Sequence, residues 1–209
     1  MKRIVYDLET KRQVLTADMT AAEGVEYANG WTDYARMGVS VMCAWDGNAA
    51  ALPYIFLDDN LQTAAAIFDK YEIIGSYNGV NFDRNVLAAA GVEYDSRKDY
   101  DLLRELWRAD GLDPDTFERA SHSGYGLDAV AVGNLGFGKL GDGANAPALY
   151  AAGRRGELIT DCLNDARITS MLIDLVDETG RLFSPKTGQW VCVRTPGESI
   201  SHFNHRSGR

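Results

Sequence analysis

The chain has 209 residues, 45% hydrophobic and 24% charged, with 30 acidic against 21 basic side chains and a formal net charge of −9. That length and composition fit one medium globular domain with at most a small appendage. The acidic balance argues against a protein that coats phosphates through a broad basic face, yet it leaves a nuclease open, since two bound divalent ions would add four positive charges where a phosphate approaches.

The opening Met-Lys-Arg-Ile-Val-Tyr-Asp meets charge again at Asp7, so no apolar signal region forms, and no apolar run approaches spanning length. A cytoplasmic protein without membrane contact is expected. Cys43, Cys162 and Cys192 are odd in number and lack zinc-type spacing, so all three read as reduced core residues. His202 and His205 lie in a polar tail and His122 in the loop-like Ser-His-Ser-Gly.

In chain order, residues 2–9 read as a buried first strand. Side chains alternate along it, so Asp7 and Glu9 share a face, with Cα atoms roughly 6–7 Å apart. A second strand is expected over Met37–Trp45, a turn at Asp46-Gly47 and a third strand over Pro53–Leu57. Residues 60–70 pattern as an amphipathic helix with Leu61, Ala64, Ala65 and Phe68 on one stripe, leading into a strand over Glu72–Ser76. A helix after Phe82 would bury Val86, Leu87 and Ala90, with Gly91 as its C-terminal cap.

Asp99–Trp107 reads as helical, Leu127–Leu135 as a short apolar helix and Gly136–Ala146, with four glycines, as a loop. The strongest helix runs over Leu158–Val176, its stripe formed by Cys162, Ala166, Thr169, Ile173 and Val176 and its end marked by Gly180. Arg181–Pro196 pairs two short strands into a hairpin. The division expected is a domain over 1–180 and a hairpin extension with a flexible tail over 181–209.

Four carboxylates interrupt these apolar stretches: Asp7 and Glu9 in Tyr-Asp-Leu-Glu-Thr, Asp83 in Asn-Gly-Val-Asn-Phe-Asp and Asp165 in Cys-Leu-Asn-Asp-Ala-Arg. An unpaired carboxylate in a core is costly, and no Lys or Arg within these segments is an obvious partner. Bound divalent metal is the natural compensation, and all-oxygen ligands favour Mg2+ or Mn2+.

The same residues carry a resemblance. Asp7-Leu8-Glu9-Thr10 on a first strand, Asn78 followed by Phe82-Asp83, and Asp165 on a late helix resemble, in order, the three motifs of the DnaQ-like (DEDD) superfamily of 3′–5′ exonucleases. The chain is most similar there to the predicted 3′–5′ exonucleases of bacteria and phages, whose Gly-x-x-Leu-Asp, Leu-Gly-x-x-Lys and Cys-x-x-Asp segments are echoed by Gly124–Asp128, Gly136–Lys139 and Cys162–Asp165. The likeness spans about residues 3–176 and implies a ribonuclease H-like three-layer α/β/α fold with a mixed five-stranded sheet.

It further implies two-metal phosphodiester hydrolysis. One Mg2+ or Mn2+ ion would be held by Asp7, Glu9 and Asp165, and a second by Asp7, with Asp83 beside it. Asn78 and Phe82 would contact the terminal nucleotide, and the backbone of Leu8–Thr10 would abut its sugar. The partners are 3′ ends of single-stranded DNA or RNA, and the products 5′-mononucleotides; no protein partner follows. One position departs from the pattern: where the family places Tyr or His four or five residues before the last Asp, this chain has Asp161. As a carboxylate one helical turn from Asp165 it is catalytic, or else merely solvated. The alternatives are a nucleic-acid-binding or interaction module of the same fold with impaired catalysis, and a ribonuclease H-type endonuclease.

Overall fold

The computed structural model describes residues 1–16, 19–21, 26–47 and 52–200. The first strand, β1 (Arg3–Thr10), is covered on both faces: Ile4, Tyr6 and Leu8 enter one apolar cluster and Val5 another. Such double cover explains the near-continuous apolar run at the start of the chain. After the short helix α1 (Tyr34–Met37), β2 (Val39–Trp45) pairs antiparallel with β1, and β3 (Tyr54–Phe56) antiparallel with β2. A 3-10 turn at Leu61–Thr63 leads into α2 (Ala64–Phe68), and β4 (Ile73–Ser76) then lies parallel to β1 on its other side.

From there α3 (Asp83–Ala89) leads to β5 (Asp99–Asp101), parallel to β4, which completes a five-stranded sheet in the order β3-β2-β1-β4-β5. The helices that follow are α4 (Leu102–Ala109), α5 (Arg119–His122), α6 (Leu127–Leu135), α7 (Ala146–Ala151) and α8 (Arg155–Thr179). α1, α2 and α3 cover one sheet face through Met37, Phe68 and Leu87; α4, α6 and α8 cover the other through Leu106, Val130 and Leu172. This is the expected ribonuclease H-like α/β/α sandwich.

α8 holds its place because Cys162, Ala166, Thr169, Ile173 and Val176 recur every three or four residues and are all buried. It ends where Gly180 takes a left-handed conformation, φ 67°, and its N–H bonds the Val176 carbonyl at 2.8 Å. The C-terminal hairpin, β6 (Arg181–Ser184) with β7 (Gln189–Cys192), packs against this layer. Leu182 and Val193 lie in the α4–α6–α8 cluster, and Asn134 on α6 both donates to the Phe183 carbonyl and accepts its N–H. Arg194 bonds Glu105 at 2.8 and 2.9 Å, while its carbonyl accepts the Tyr100 hydroxyl at 2.7 Å.

Several expectations need correction. Asp99–Trp107 is not helical throughout: Asp99–Asp101 forms the edge strand, and only then does α4 begin, because the Asp101 carboxylate accepts the N–H groups of Leu103 and Arg104 as an N-cap. The 60–70 helix starts as a 3-10 turn, and the loop over 136–146 contains another at Gly143–Asn145 before α7, which the glycines concealed. Cys43 and Cys162 are buried, but Cys192 is exposed on β7, where alternation turns it outward. The expected turn after Asp46-Gly47 continues into residues outside those described, as does the polar tail with His202 and His205. Among the described residues no helix is long and apolar enough to cross a membrane.

Candidate functional site

Tyr6 and Leu8 point into the core on one face of β1, so Asp7 and Glu9 point to the other, toward α8. Asp165 comes from the buried stripe of α8, one turn beyond Cys162, whose thiol donates to the Asp7 carbonyl at 3.2 Å and ties helix to strand. One carboxylate oxygen from each of Asp7, Glu9 and Asp165 lies within 4.8 Å of the others. Asp83 enters from the first turn of α3 and is buried.

Crowding and burial work against charge here. Burial, then the carboxylates of Asp165, Glu9 and Asp83, raise the pKa of Asp7 well above the usual carboxylate range. Burial lifts Glu9 to about 8 although the Lys139 ammonium opposes it, and lifts Asp83 to about 7 against the backbone N–H groups of Asp83 and Leu8. Asp165 is also raised, by burial first, with Lys139 again opposing.

Lys139 is the cation the sequence reading missed. Its Nζ lies 2.5 Å from Asp165 Oδ2. Burial pulls the ammonium's pKa down, but Asp165, Asp7 and Glu9 outweigh it and raise the net value. It arrives on the glycine-rich loop after α6, held there because Asp128, in the first turn of that helix, accepts the Lys139 N–H at 2.8 Å. The same loop lies across the acidic cluster and at Gly141 leaves no room for a side chain: a Cβ there would stand 2.2 Å from Asp161 Oδ2, whereas one on Gly143 would meet Glu9 Oε2 at an ordinary contact of 3.5 Å. Asp161 is half-buried beneath Gly141, and its charge acts on both Glu9 and Asp165. The signal for Lys139 was present in Leu-Gly-x-x-Lys, but a salt bridge across 26 positions has no local signature.

The loop 77–82 connects β4 to α3, whose first turn carries Asp83. Asn78 sits at φ 65°, a left-handed conformation that asparagine tolerates, and a Cβ on Gly79 would stand 2.4 Å from Ser76 Oγ. Asp101 organises this loop, its carboxylate accepting the N–H groups of Asn78 at 2.9 Å and Val80 at 3.0 Å while capping α4. That role was not foreseen, since it depends on β5 standing beside β4. Phe82 is half-buried between Tyr34 and Trp31, each ring centre 6.4 Å away, and Trp31 is 65% exposed. Leu8 is a core residue, and Thr10 bonds the Arg12 carbonyl.

Buried Asp165 Oδ1 has no hydrogen-bond partner among the described residues. An orphaned anionic oxygen beside two further carboxylates, all oxygen donors, fits a hard divalent cation. The cluster is thus a candidate metal site.

No protein-family model matches the chain, and no curated protein does. Among solved structures it is similar to the family B DNA polymerase from the hyperthermophilic archaeon Pyrobaculum calidifontis, with a TM-score of 0.52 and 14% identity over 84% of this chain. It spans 24% of that polymerase's length, and at this identity the likeness concerns the fold.

Proposed function

We propose that this chain is a metal-dependent 3′–5′ exonuclease of the DnaQ-like type, acting on free 3′ ends of single-stranded DNA or RNA and releasing 5′-mononucleotides. The observation that carries this reading is the meeting of Asp7, Glu9 and Asp165, from two distant segments, around an orphaned oxygen on a ribonuclease H-like sheet. Likeness to part of a DNA polymerase favours nucleic acid as the substrate.

On this reading Asp7, Glu9 and Asp165 hold one Mg2+ or Mn2+ ion, and Asp7, with Asp83 beside it, faces a second. Bound there, the ions supply Lewis-acid stabilisation of charge developing on the phosphate. Asn78 and Phe82 face the terminal nucleotide, with the Leu8–Thr10 backbone against its sugar. Trp31 extends the Phe82 surface available for stacking.

The deciding experiment offers labelled single strands to the protein with Mg2+ or Mn2+. Free 3′ ends are expected to shorten stepwise to mononucleotides, and a 3′-phosphate to slow the reaction strongly. Cuts within a circular strand would instead identify an endonuclease, and binding without metal-dependent turnover an impaired module.

Asp161 stands where the family has Tyr or His, and its carboxylate oxygen orients the attacking water on this reading. Asp161→Asn is then expected to lower turnover by roughly a hundredfold, as for loss of a general base, with a much smaller change in metal affinity. Wild-type turnover in that variant would remove the role from Asp161 and leave the carboxylate cluster as it stands.

A further inference from the structure

Beside the 77–82 loop, a cavity of about 530 Å3 opens between α4 and the 114–127 segment. Tyr77, Trp107, Phe117 and His122 line it, together with Asn78 and Asn81 from the loop that leads into α3 and its Asp83. Phe117 is 65% exposed, an expensive position for a phenyl ring in water. It packs at a tilt against Trp107, ring centres 6.1 Å apart and planes at 50°, and against His122 at 5.8 Å and 48°, so the ring is steadied while much of it faces solvent. His122 is itself fixed, its Nε2 bonded to the Asp113 carbonyl at 2.9 Å.

Across Asn81 lies a second cavity, about 920 Å3, lined by Arg84, Arg104, Arg108 and Arg194 among others. Asn81 and Asp115 line both cavities, and Arg104 bridges the ridge between them, donating to Asn81 Oδ1 at 3.2 Å and to the Pro114 carbonyl at 2.9 Å. Five arginines line this groove in a chain of net charge −9, each paired with a carboxylate: Arg84 with Asp99, Arg97 with Asp95, Arg104 with Asp115, and Arg108 and Arg194 both with Glu105. Each guanidinium carries five donors, more than one carboxylate accepts. An aromatic platform next to a groove of arginine N–H donors is a combination that binds single strands, bases on the rings and phosphates on the guanidinium groups.

We propose that the Phe117 cavity holds a nucleobase of a single strand, upstream of the residue being hydrolysed, with the adjoining arginine groove on its phosphates. The inference rests on the nuclease reading for its direction, while its binding chemistry is tested separately. Binding of 5′-fluorescein-labelled eight-nucleotide strands to the full chain carrying Asp7→Asn is followed by anisotropy, so that hydrolysis does not intervene. Adding Phe117→Ala is expected to weaken binding roughly tenfold, in the range for losing one base–aromatic stack, whereas Phe117→Trp preserves it. A single abasic residue walked along the strand is expected to weaken the Phe117 protein at one position where the Phe117→Ala protein loses nothing further. Absence of such a coupled position, or equal affinity of the Phe117→Ala protein, overturns the proposal, leaving contacts to phosphate alone. A coupled position in a chain whose unmutated form hydrolyses nothing supports the base pocket while overturning the nuclease reading. Hydrolysis with no coupling overturns the pocket only.

Discussion

Asp7→Asn is expected to lower metal-dependent hydrolysis by about two to three orders of magnitude while leaving the fold intact, because on the proposed function this residue alone would face both ions. Retention of more than about a tenth of wild-type activity would end the metal-centre assignment. The same variant should reveal the cluster through stability. Glu9, at about 8, and Asp83, at about 7, hold their protons more tightly in the folded metal-free protein than an unfolded chain would. The folded state therefore binds more protons than the unfolded one between roughly pH 4 and 8, and stability falls as pH rises across that window. Asp7→Asn removes one repelling carboxylate, so without metal it should melt at equal or higher temperature, and the gap over wild type should widen from pH 5 to pH 8. Mg2+ should reverse the order, stabilising the wild type more. Thermal melts at both pH values, with and without Mg2+, measure this. A large loss of metal-free stability in Asp7→Asn would mark a structural carboxylate instead.

Lys139→Met should give the largest change in metal-free stability. Removing one partner from a buried ion pair leaves the other charge uncompensated, at about 3–5 kcal/mol. Because the Lys139 side chain is 25% exposed, the lower end applies. With roughly 2–4 °C per kcal/mol in a domain of this size, the melting temperature should fall by about 6–12 °C at pH 8. At pH 5 the loss should shrink, since Asp165 can take up a proton in place of its lost partner. Divalent metal should restore most of the difference and bind more tightly to the variant, because ammonium and metal compete for the same carboxylate. Unchanged melting at pH 8 without metal would show that Lys139 does not compensate the cluster.

What was legible in the sequence were features written in local period. Asp7 and Glu9 two apart on a strand must share a face, and Asp165 three residues after Cys162 must join the apolar stripe of α8; both follow from backbone geometry alone. The α/β layering with a mixed five-stranded sheet came with the family resemblance carried by the motifs, while the strand order came only with the structure. The boundaries that failed, at Asp99–Asp101 and within 136–146, are short elements whose state is set by neighbours. Asp99–Asp101 is a strand because β4 offers it a hydrogen-bonding edge, and no three-residue pattern announces that.

The sequence by itself determined that carboxylates stand in a hydrophobic interior and therefore need a cation. Only the tertiary structure decided how that need is met without metal, and by which partners. Lys139 reaches Asp165 because Asp128 at the start of α6 anchors the returning loop, and that loop fits over Asp161 because Gly141 carries no Cβ there. Asp101 holds the Asn78 loop only once β5 lies beside β4. Period and composition record how a residue relates to its own helix or strand. Ion pairs and cavity walls instead join residues far apart in the chain, and those distances exist only after packing has brought the segments together.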